Sequence, residues 1–504
     1  MSNGLKRRSV LKGAAGIGAA AAAGVLLRSR DVRAFGDVPE AYAHVMLPEE
    51  MRVDSILEVF LCGGVSQYES FYTVPGHGQG DGTGWYLHLN SGELDIALAD
   101  CSYPAAEPLT QEFHQDEEGE PISLGPFALP LRLRGDLLDR LRICVTAHDA
   151  LPHEVAVPLA FTGRRLGHPR MAGLGAHIQR YFMERSDTPV ASFVIAPSDQ
   201  LVAELARAAF ATGAHSASAQ PVPLVIDSAS ELLSLVSRET IANRAAHDQL
   251  VGANIERLAQ RLRWRDATLR SHVLRDSEAA SLAVSKADLL ETLLDPALLV
   301  NLPGDSCGTA TEIDTTVMSM KLAAHLLTHP DMPARYVSVI DGGIVTTDDA
   351  GGYDTHRINC DRQARNVAHV LNALVEVVNK PGEGDSQKLD LDRTLIIVNT
   401  EFGRTPHGEN LEAGRWGRGH WPYSYPVMYI GGPITTQNRG IFGATDAGAQ
   451  ALKAIEPQEH RIAALLALGI WPFDPDGFNV NDAVNKNGGA EAATSVITRV
   501  FGVV

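Results

Sequence analysis

The sequence contains few cysteines and no dinucleotide-binding motif. Its five cysteines show no CxxC spacing, and their odd number leaves at least one thiol unpaired within the monomer. This pattern argues against a disulfide-dependent scaffold. No GxGxxG follows a predicted strand and opens a helix, and Gly76, Gly78 and Gly80 have the wrong spacing. A dehydrogenase is therefore not expected.

Basic residues are also scarce. The chain has 43 lysines and arginines against 61 aspartates and glutamates, which gives a net charge of −18. Such a surface repels nucleic acid and anionic membranes at long range, so we expect neither as a partner. Apolar residues make up 45% of the chain, which is enough for a sizeable core. The composition is typical of a soluble globular protein.

The N-terminal segment is basic, unlike the rest of the chain, and is typical of an export signal. Arg7 and Arg8 approximate the twin-arginine pattern, the weakly apolar run Gly13–Leu27 follows, and Val32–Ala34 offers a cleavage site. The run is too short to span a bilayer comfortably, so we expect no stable membrane anchor. We interpret residues 1–34 as a signal peptide read by the twin-arginine export machinery, and we expect a periplasmic or secreted protein. A basic amphipathic helix is the alternative.

The remainder of the chain, residues 35–504, is predicted to be one α/β domain. Short runs rich in β-branched residues predict strands at Val53–Leu61, Leu138–Thr146, Ala191–Ile195, Tyr336–Ile340, Leu395–Val398 and Val427–Ile430. Three- and four-residue spacing predicts helices at Gly173–Glu184, Gln200–Ala211, Thr315–Thr328, Arg357–Val378 and Gln458–Leu468. Residues from about 228 to 300 have few Gly or Pro, and we interpret them as a helical insertion that serves as a lid or a subunit contact.

Polar residues follow several of these strands. In open α/β sheets, ligands bind beyond the carboxyl ends of the strands. Glu401 and Arg404 follow one apolar run, and His420 ends the Gly-rich loop before the next. Asp354 and His356 are two residues apart, so in an extended segment both point the same way, as a pair of metal ligands would. The alternatives are a buried Asp354–His356 hydrogen-bonded pair and a structural Glu401–Arg404 ion pair.

Two further loops are candidates for the site. Gly63 and Gly64 form a tight turn after the first strand, which makes Ser66 a possible nucleophile or anion contact; a capping serine is the alternative. The loop at 147–154 contains His148 and His153 together with acids. This loop is consistent with a wall of the site and equally with an exposed loop.

Taken together, these motifs resemble one family. The strand with Gly-Gly near the mature start, GGYDTH at 351–356, TEFGRTP at 400–406, and the later Gly-Arg-x-His-Trp loop are similar in order and spacing to DUF1501 proteins, from about Ser55 to Leu468. That family is in turn similar to the alkaline phosphatase–sulfatase superfamily. The resemblance implies a three-layer α/β/α sandwich. It also implies a divalent metal ion, Zn²⁺ or Mn²⁺, held by Asp354, His356, Glu401 and His420.

The implied function is hydrolysis of phosphate or sulfate esters, with a small-molecule or glycan ester as substrate and Arg404 or Arg418 holding an anionic oxygen. Two departures from the family pattern bear on this expectation. Gly419 stands where family members often have an acid, and no CxPxR occurs, so a sulfatase formylglycine cannot form. The alternative is a non-catalytic envelope protein that binds a glycan or protein partner through the insertion.

Overall fold

The computed structural model describes residues 34–74, 91–103, 108–183, 185, 190–197, 205, 207–226, 304–311, 314–344, 352–412, 415–483 and 488–503, and a few positions between 249 and 261. The predicted signal peptide, apart from Ala34, and nearly all of the predicted insertion lie outside the described residues. No helix among the described residues combines the length and apolar character that crossing a bilayer requires.

Within the described residues, eight strands form one sheet. In chain order they are β1 (Ser55–Leu61), β2 (Leu141–Thr146), β3 (Ser192–Pro197), β4 (Val222–Ile226), β5 (Tyr336–Asp341), β6 (Thr394–Asn399), β7 (Tyr425–Gly431) and β8 (Gly440–Phe442). Their spatial order is β8-β2-β7-β6-β1-β5-β3-β4. β7 runs antiparallel to β6 and β2, and the other pairs are parallel. The central strands β1, β5 and β6 are buried along their whole length, as expected of apolar runs in a mostly parallel sheet.

Helices cover both faces of the sheet. Among the described residues, the helices of eight or more residues are α1 (Ser91–Asp100), α2 (His153–Thr162), α3 (Leu174–Met183), α4 (Thr315–Thr328), α5 (Asn359–Glu376), α6 (Pro457–Ala467) and α7 (Gly489–Val496). Leu57 and Ile396 pack on one face with residues of α1, α4 and α5. Ile56 and Leu395 pack on the other face with residues of α3, α6 and α7. This alternation follows from the two-residue period of a strand.

The carboxyl ends of the parallel strands gather polar loops at one edge of the sheet. There β1 leads to Gly63, β2 to the loop before His153, β5 to the loop that contains Asp354, and β6 to Glu401. Because β7 is antiparallel, the chain enters it at this same edge, and His420 lies just before it. Loops that are far apart in the sequence therefore meet at one place.

These observations confirm the prediction of an α/β fold. All six predicted strands and four of the five predicted helices are present with small shifts in their ends. The predicted helix at Gln200–Ala211 lies partly outside the described residues, and its described end contains the 3-10 helix Arg207–Phe210. The predicted strand at Leu138–Thr146 starts too early, because Gly135–Leu138 forms a short helix and β2 begins at Leu141. The antiparallel direction of β7 was not predicted.

One disulfide is present. It joins Cys101, just after α1, to Cys307 in the turn of the hairpin formed by Gly304–Ser306 and Thr309–Thr311, across a sequence separation of 206. The side chain of Arg365 on α5 binds Asp100 Oδ2 (2.6 Å) and the Cys307 carbonyl oxygen, so this crosslink also rests on α5. The three other cysteines are buried and form no disulfide. The expectation that the scaffold is not disulfide-rich agrees with this arrangement.

Candidate metal centre

Asp354 is the centre of the polar cluster at the carboxyl edge. Its side chain is 3% exposed, and three imidazole nitrogens approach its carboxylate oxygens: His153 Nε2 at 3.3 Å, His356 Nε2 at 3.2 Å and His420 Nε2 at 3.4 Å. Arg404 Nη2 donates to Oδ1 at 2.6 Å. Burial opposes ionisation, but these histidines and the Arg404 guanidinium together hold the pKa of Asp354 far below its usual range. The carboxylate is therefore charged at any physiological pH.

Three of these residues form a group that can hold one cation. One ligand atom each from His153, Asp354 and His420 lie within 4.8 Å of one another. The three residues come from α2, from the loop before α5 and from the short strand His420–Trp421. Imidazole nitrogen and carboxylate oxygen are together the ligands that zinc prefers in catalytic sites.

The partners of the second ring nitrogens determine the tautomers of two histidines. His153 Nδ1 lies 2.7 Å from Glu401 Oε1, and His420 Nδ1 lies 2.9 Å from the Leu151 carbonyl oxygen. Both oxygens only accept hydrogen bonds, so each Nδ1 carries the hydrogen and each Nε2 of the neutral ring presents a lone pair. A carboxylate or carbonyl behind the imidazole is the usual outer-shell arrangement of a metal-bound histidine.

The two Nε2 lone pairs face the oxygens of Asp354, which are also acceptors. His153 Nε2 is buried, and its 3.3 Å contact with Asp354 Oδ2 is not aligned as a hydrogen bond. His356 Nε2 and His420 Nε2 are 3.0 Å apart and also face each other. A hydrogen on His356 Nε2 completes that contact, whereas His153 Nε2 and Asp354 Oδ2 need a proton or a cation between them. The residues present thus fit a divalent metal ion.

In the absence of a metal, protonation of a histidine satisfies the cluster. Burial lowers the pKa of His153, but the hydrogen-bonded carboxylates of Asp354 and Glu401 outweigh it and raise the pKa to about 9. Burial lowers the pKa of His420, whose contact with Asp354 only partly compensates. The two rings therefore differ in charge at neutral pH, with His153 protonated.

Glu401 lies behind the cluster rather than within it. Its Oε1 accepts from His153 Nδ1 and from the Gly63 amide at 2.8 Å, and its Oε2 lies 3.2 Å from the Thr400 hydroxyl. His148 Nε2 donates to the Glu401 carbonyl oxygen at 2.7 Å, because His148 Nδ1 already accepts from the Ala150 amide. Glu401 thus orients His153. It is not one of the three residues that converge.

Arg404 is fully buried and holds loops together. Besides Asp354, its guanidinium binds the carbonyl oxygens of Gly63, Gly64, Tyr353 and Arg418. Its side chain therefore joins the turn after β1 to the Asp354 loop. Arg404 is therefore not placed as a guanidinium that binds an anionic substrate would be.

Arg418 is also fully buried. It binds the Thr405 carbonyl oxygen and the carboxylate of Glu69. The hydroxyl of Ser66, which is fully buried too, donates to the same carboxylate. The side-chain contact of Ser66, the possible nucleophile, is thus with Glu69.

The Gly-rich loop before β7 brings His420 next to His356. Gly417 lies against the His356 carbonyl oxygen so closely that a Cβ at this position would be 1.7 Å from it. The Arg418 amide donates to the Thr355 carbonyl oxygen at 3.0 Å. Gly419 in turn exchanges backbone and side-chain hydrogen bonds with Thr405. A residue larger than glycine at 417 would force the loop and His420 away from the site.

Three of the four predicted ligands, Asp354, His356 and His420, come together in the structure. His356 lies at the rim with its side chain 32% exposed, next to the group of three. His153 was not predicted as a ligand. The available signal was its position in the polar loop after β2, which the sequence alone did not distinguish from an exposed loop.

The fold and this cluster define the molecule as an α/β protein with a candidate metal centre at the carboxyl edge of its sheet. The chain belongs to the family described as "Protein of unknown function (DUF1501)", whose model matches residues 53–469. The match includes every residue of the cluster. Comparisons with curated proteins and with solved structures found no match.

Proposed function

We propose that this protein is an exported, metal-dependent hydrolase of phosphate or sulfate esters on an alkaline phosphatase-like fold. The observation that carries the proposal is the convergence of His153 Nε2, the Asp354 carboxylate and His420 Nε2 at the carboxyl edge of the sheet. Two imidazoles and one carboxylate are a ligand set of catalytic zinc sites, which keep a further position open. Mixed nitrogen and oxygen ligands favour Zn²⁺ or Mn²⁺ over Ca²⁺.

A divalent ion in this position would supply Lewis-acid polarisation of an ester oxygen. The residues of the chain do the rest. Glu401 and the Leu151 carbonyl hold the two imidazoles in the required tautomer. His356 is exposed at the rim, and its Nε2 can hold or pass a proton between the cluster and solvent. The substrate in this proposal is a small-molecule or glycan ester that approaches from the His356 side.

Export is supported by the crosslink as well as by the N-terminal pattern. Disulfides persist in oxidising compartments such as the bacterial periplasm and are rare in the cytosol. The Cys101–Cys307 bond is therefore consistent with a protein that works after export. We propose a periplasmic or secreted location and delivery through the twin-arginine machinery.

A second candidate is a non-catalytic envelope protein that binds a glycan or protein partner. The placement of the two arginines favours it. Arg404 and Arg418 are both fully buried and bind other parts of the chain, so neither is placed to hold an anionic substrate group. Gly419 has no side chain where many family members have an acid.

Elemental analysis of the processed protein tests the first proposal. We expect about one or more Zn or Mn ions per chain in the wild type, and loss of metal in His153→Ala and His420→Ala. His114→Ala is the matched control, because His114 is exposed and contacts the backbone of Gln115. A folded wild-type protein that stays metal-free after incubation with Zn²⁺ and Mn²⁺ would refute metal binding and favour the second candidate.

A further inference from the structure

The Glu401 carboxylate is joined to the centre of the sheet by a line of buried polar groups. β6 ends at Asn399, and Thr400 and then Glu401 follow it. Both are buried, with 3% of their surface exposed. They are polar residues at the end of an otherwise apolar strand, which calls for an explanation.

Thr400 contacts Glu401 through its hydroxyl. The Oγ1 atom lies 3.2 Å from Glu401 Oε2 and 2.8 Å from the Leu61 carbonyl oxygen at the end of β1. Its single hydrogen is shared between these two acceptors. The hydroxyl therefore links the carboxylate to the neighbouring strand.

Asn399 fixes the peptide that carries this hydroxyl. Its Oδ1 accepts from the Thr400 amide at 2.8 Å. Its Nδ2 donates to Glu58 Oε1 at 3.3 Å and lies 3.4 Å from His460 Nε2. The Asn399 amide is thus held in one orientation by Glu58, which Arg461 binds through both carboxylate oxygens.

We propose that Thr400 is a positioning residue of the metal centre. Its hydroxyl holds the Glu401 carboxylate in the orientation that keeps His153 Nδ1 protonated and turns His153 Nε2 toward Asp354. The inference rests on the proposed function, since it takes His153 as a metal ligand. It assigns a role to a residue outside the cluster, and the Glu58–Arg461 pair provides the fixed support behind it.

The first test compares zinc affinity in three variants, measured by competition with a chromophoric chelator. Thr400→Val removes the hydroxyl and keeps the shape of the side chain, and we expect zinc to bind about 10-fold more weakly, as for other outer-shell partners. Thr400→Ser restores the hydroxyl and should restore the affinity. Thr394→Val is the matched control: Thr394 is buried at the other end of β6, where its hydroxyl lies 3.3 Å from Ser55 Oγ.

The second test uses the metal-free protein. NMR of ¹⁵N-labelled histidine, with the His153 signals assigned through a His153→Gln variant, reports the hydrogen bond at Nδ1. We expect the His153 ring signals to change in Thr400→Val but not in Thr394→Val. Melting temperatures of the variants show whether each remains folded.

The outcomes separate the two proposals. Wild-type protein that binds zinc, with Thr400→Val binding equally well, would overturn the positioning role and leave the proposed function intact. Wild-type protein that binds no zinc would overturn the proposed function, and the NMR comparison would then decide the role of Thr400 alone. Unchanged His153 signals in Thr400→Val would overturn that role in either case.

Discussion

Two polar clusters in this molecule are completed differently. The core cluster comprises Glu58, Tyr336, Asn399, Tyr429, His460 and Arg461. In it, each Glu58 oxygen receives a guanidinium hydrogen from Arg461, and Tyr336 OH donates to Oε2 at 2.6 Å. The edge cluster comprises His153, Asp354, His356 and His420, and there the buried His153 Nε2 faces Asp354 Oδ2 at 3.3 Å without an aligned hydrogen bond.

The difference lies in the source of positive charge. Arg461 is permanently charged, so the core cluster is complete at every pH at which the protein folds. In the edge cluster Arg404 binds Asp354 Oδ1, and the contact between Asp354 Oδ2 and His153 Nε2 is completed by a proton on the imidazole or by a cation. A buried polar cluster whose hydrogen bonds are all made by its own residues serves the fold. A cluster that requires an added charge can serve as a binding site.

Removing the arginine of the core cluster should have the largest effect. Arg461→Leu leaves the fully buried Glu58 charge without its main partner, so we expect the free energy of unfolding to fall by about 3–5 kcal/mol. Urea unfolding measures it. The double variant Glu58→Met, Arg461→Leu is the control and should recover part of the loss. A loss below about 1 kcal/mol would show that the two clusters do not differ as described.

Glu459 on α6 is a second buried glutamate, and the pH dependence of its contribution to stability can be compared with that of Glu58. Glu459 contacts Arg499 through one oxygen only. Burial therefore outweighs the attraction of Arg499 and raises the pKa of Glu459 from 4.5 to about 7. At Glu58 the attraction of Arg461 outweighs burial and holds the pKa well below its usual range.

The sign follows from the direction of each shift. The folded state binds more protons at Glu459 than the unfolded state between pH 4.5 and about 7, so its stabilising contribution is complete below pH 4.5 and is lost as the pH rises to 7. Relative to Glu459→Gln, the wild type should lose at most about 3 kcal/mol over this range. Chemical unfolding at several pH values measures the difference. A constant difference between the two proteins would contradict the raised pKa.

Zinc should stabilise the protein through the edge cluster alone. At a free zinc concentration 100 times the dissociation constant, ligand linkage predicts about 2.7 kcal/mol of added stability. We expect this gain in the wild type and in Thr394→Val, and no gain in His420→Ala, whose side chain is 20% exposed. Thermal unfolding with and without zinc measures it. An equal gain in His420→Ala would place the binding elsewhere.

The smallest effect is expected at Ser66. Ser66→Ala removes one hydrogen bond to Glu69, which keeps its contact with Arg418, so stability should fall by about 1 kcal/mol and zinc affinity should not change. Unfolding and metal titration of the same preparation test both statements. If ester hydrolysis is found, loss of turnover in this variant with normal zinc binding would establish Ser66 as the nucleophile.

The strands and helices could be predicted because their patterns are local. The apolar runs of β1, β5 and β6 and the spacing of α5 each lie within one short stretch of sequence. The direction of β7 could not be predicted in this way, since it depends on which strands it joins. That direction is what brings His420 to the edge where β5 and β6 end.

The site residues also differ in whether local sequence or the fold determines their position. Asp354 and His356 are neighbours in sequence, and their pairing was predicted from spacing alone. Glu401 was predicted as a ligand from its place after β6, but its orientation is set by Gly63, Thr400 and His153, which come from other strands and loops. Arg404 likewise lies where a substrate fork was expected, and only the fold shows that its donors serve the backbone of three loops.

The Cys101–Cys307 bond has a consequence for the covalent connectivity of the mature protein. A protease that cuts once anywhere between these two cysteines, including within the predicted insertion, produces two chains that stay joined. Most of the strands and the whole edge cluster except His153 lie outside that stretch. Such a nicked molecule would migrate as one species until it is reduced, so the peptide chain can be opened at its surface without releasing either part.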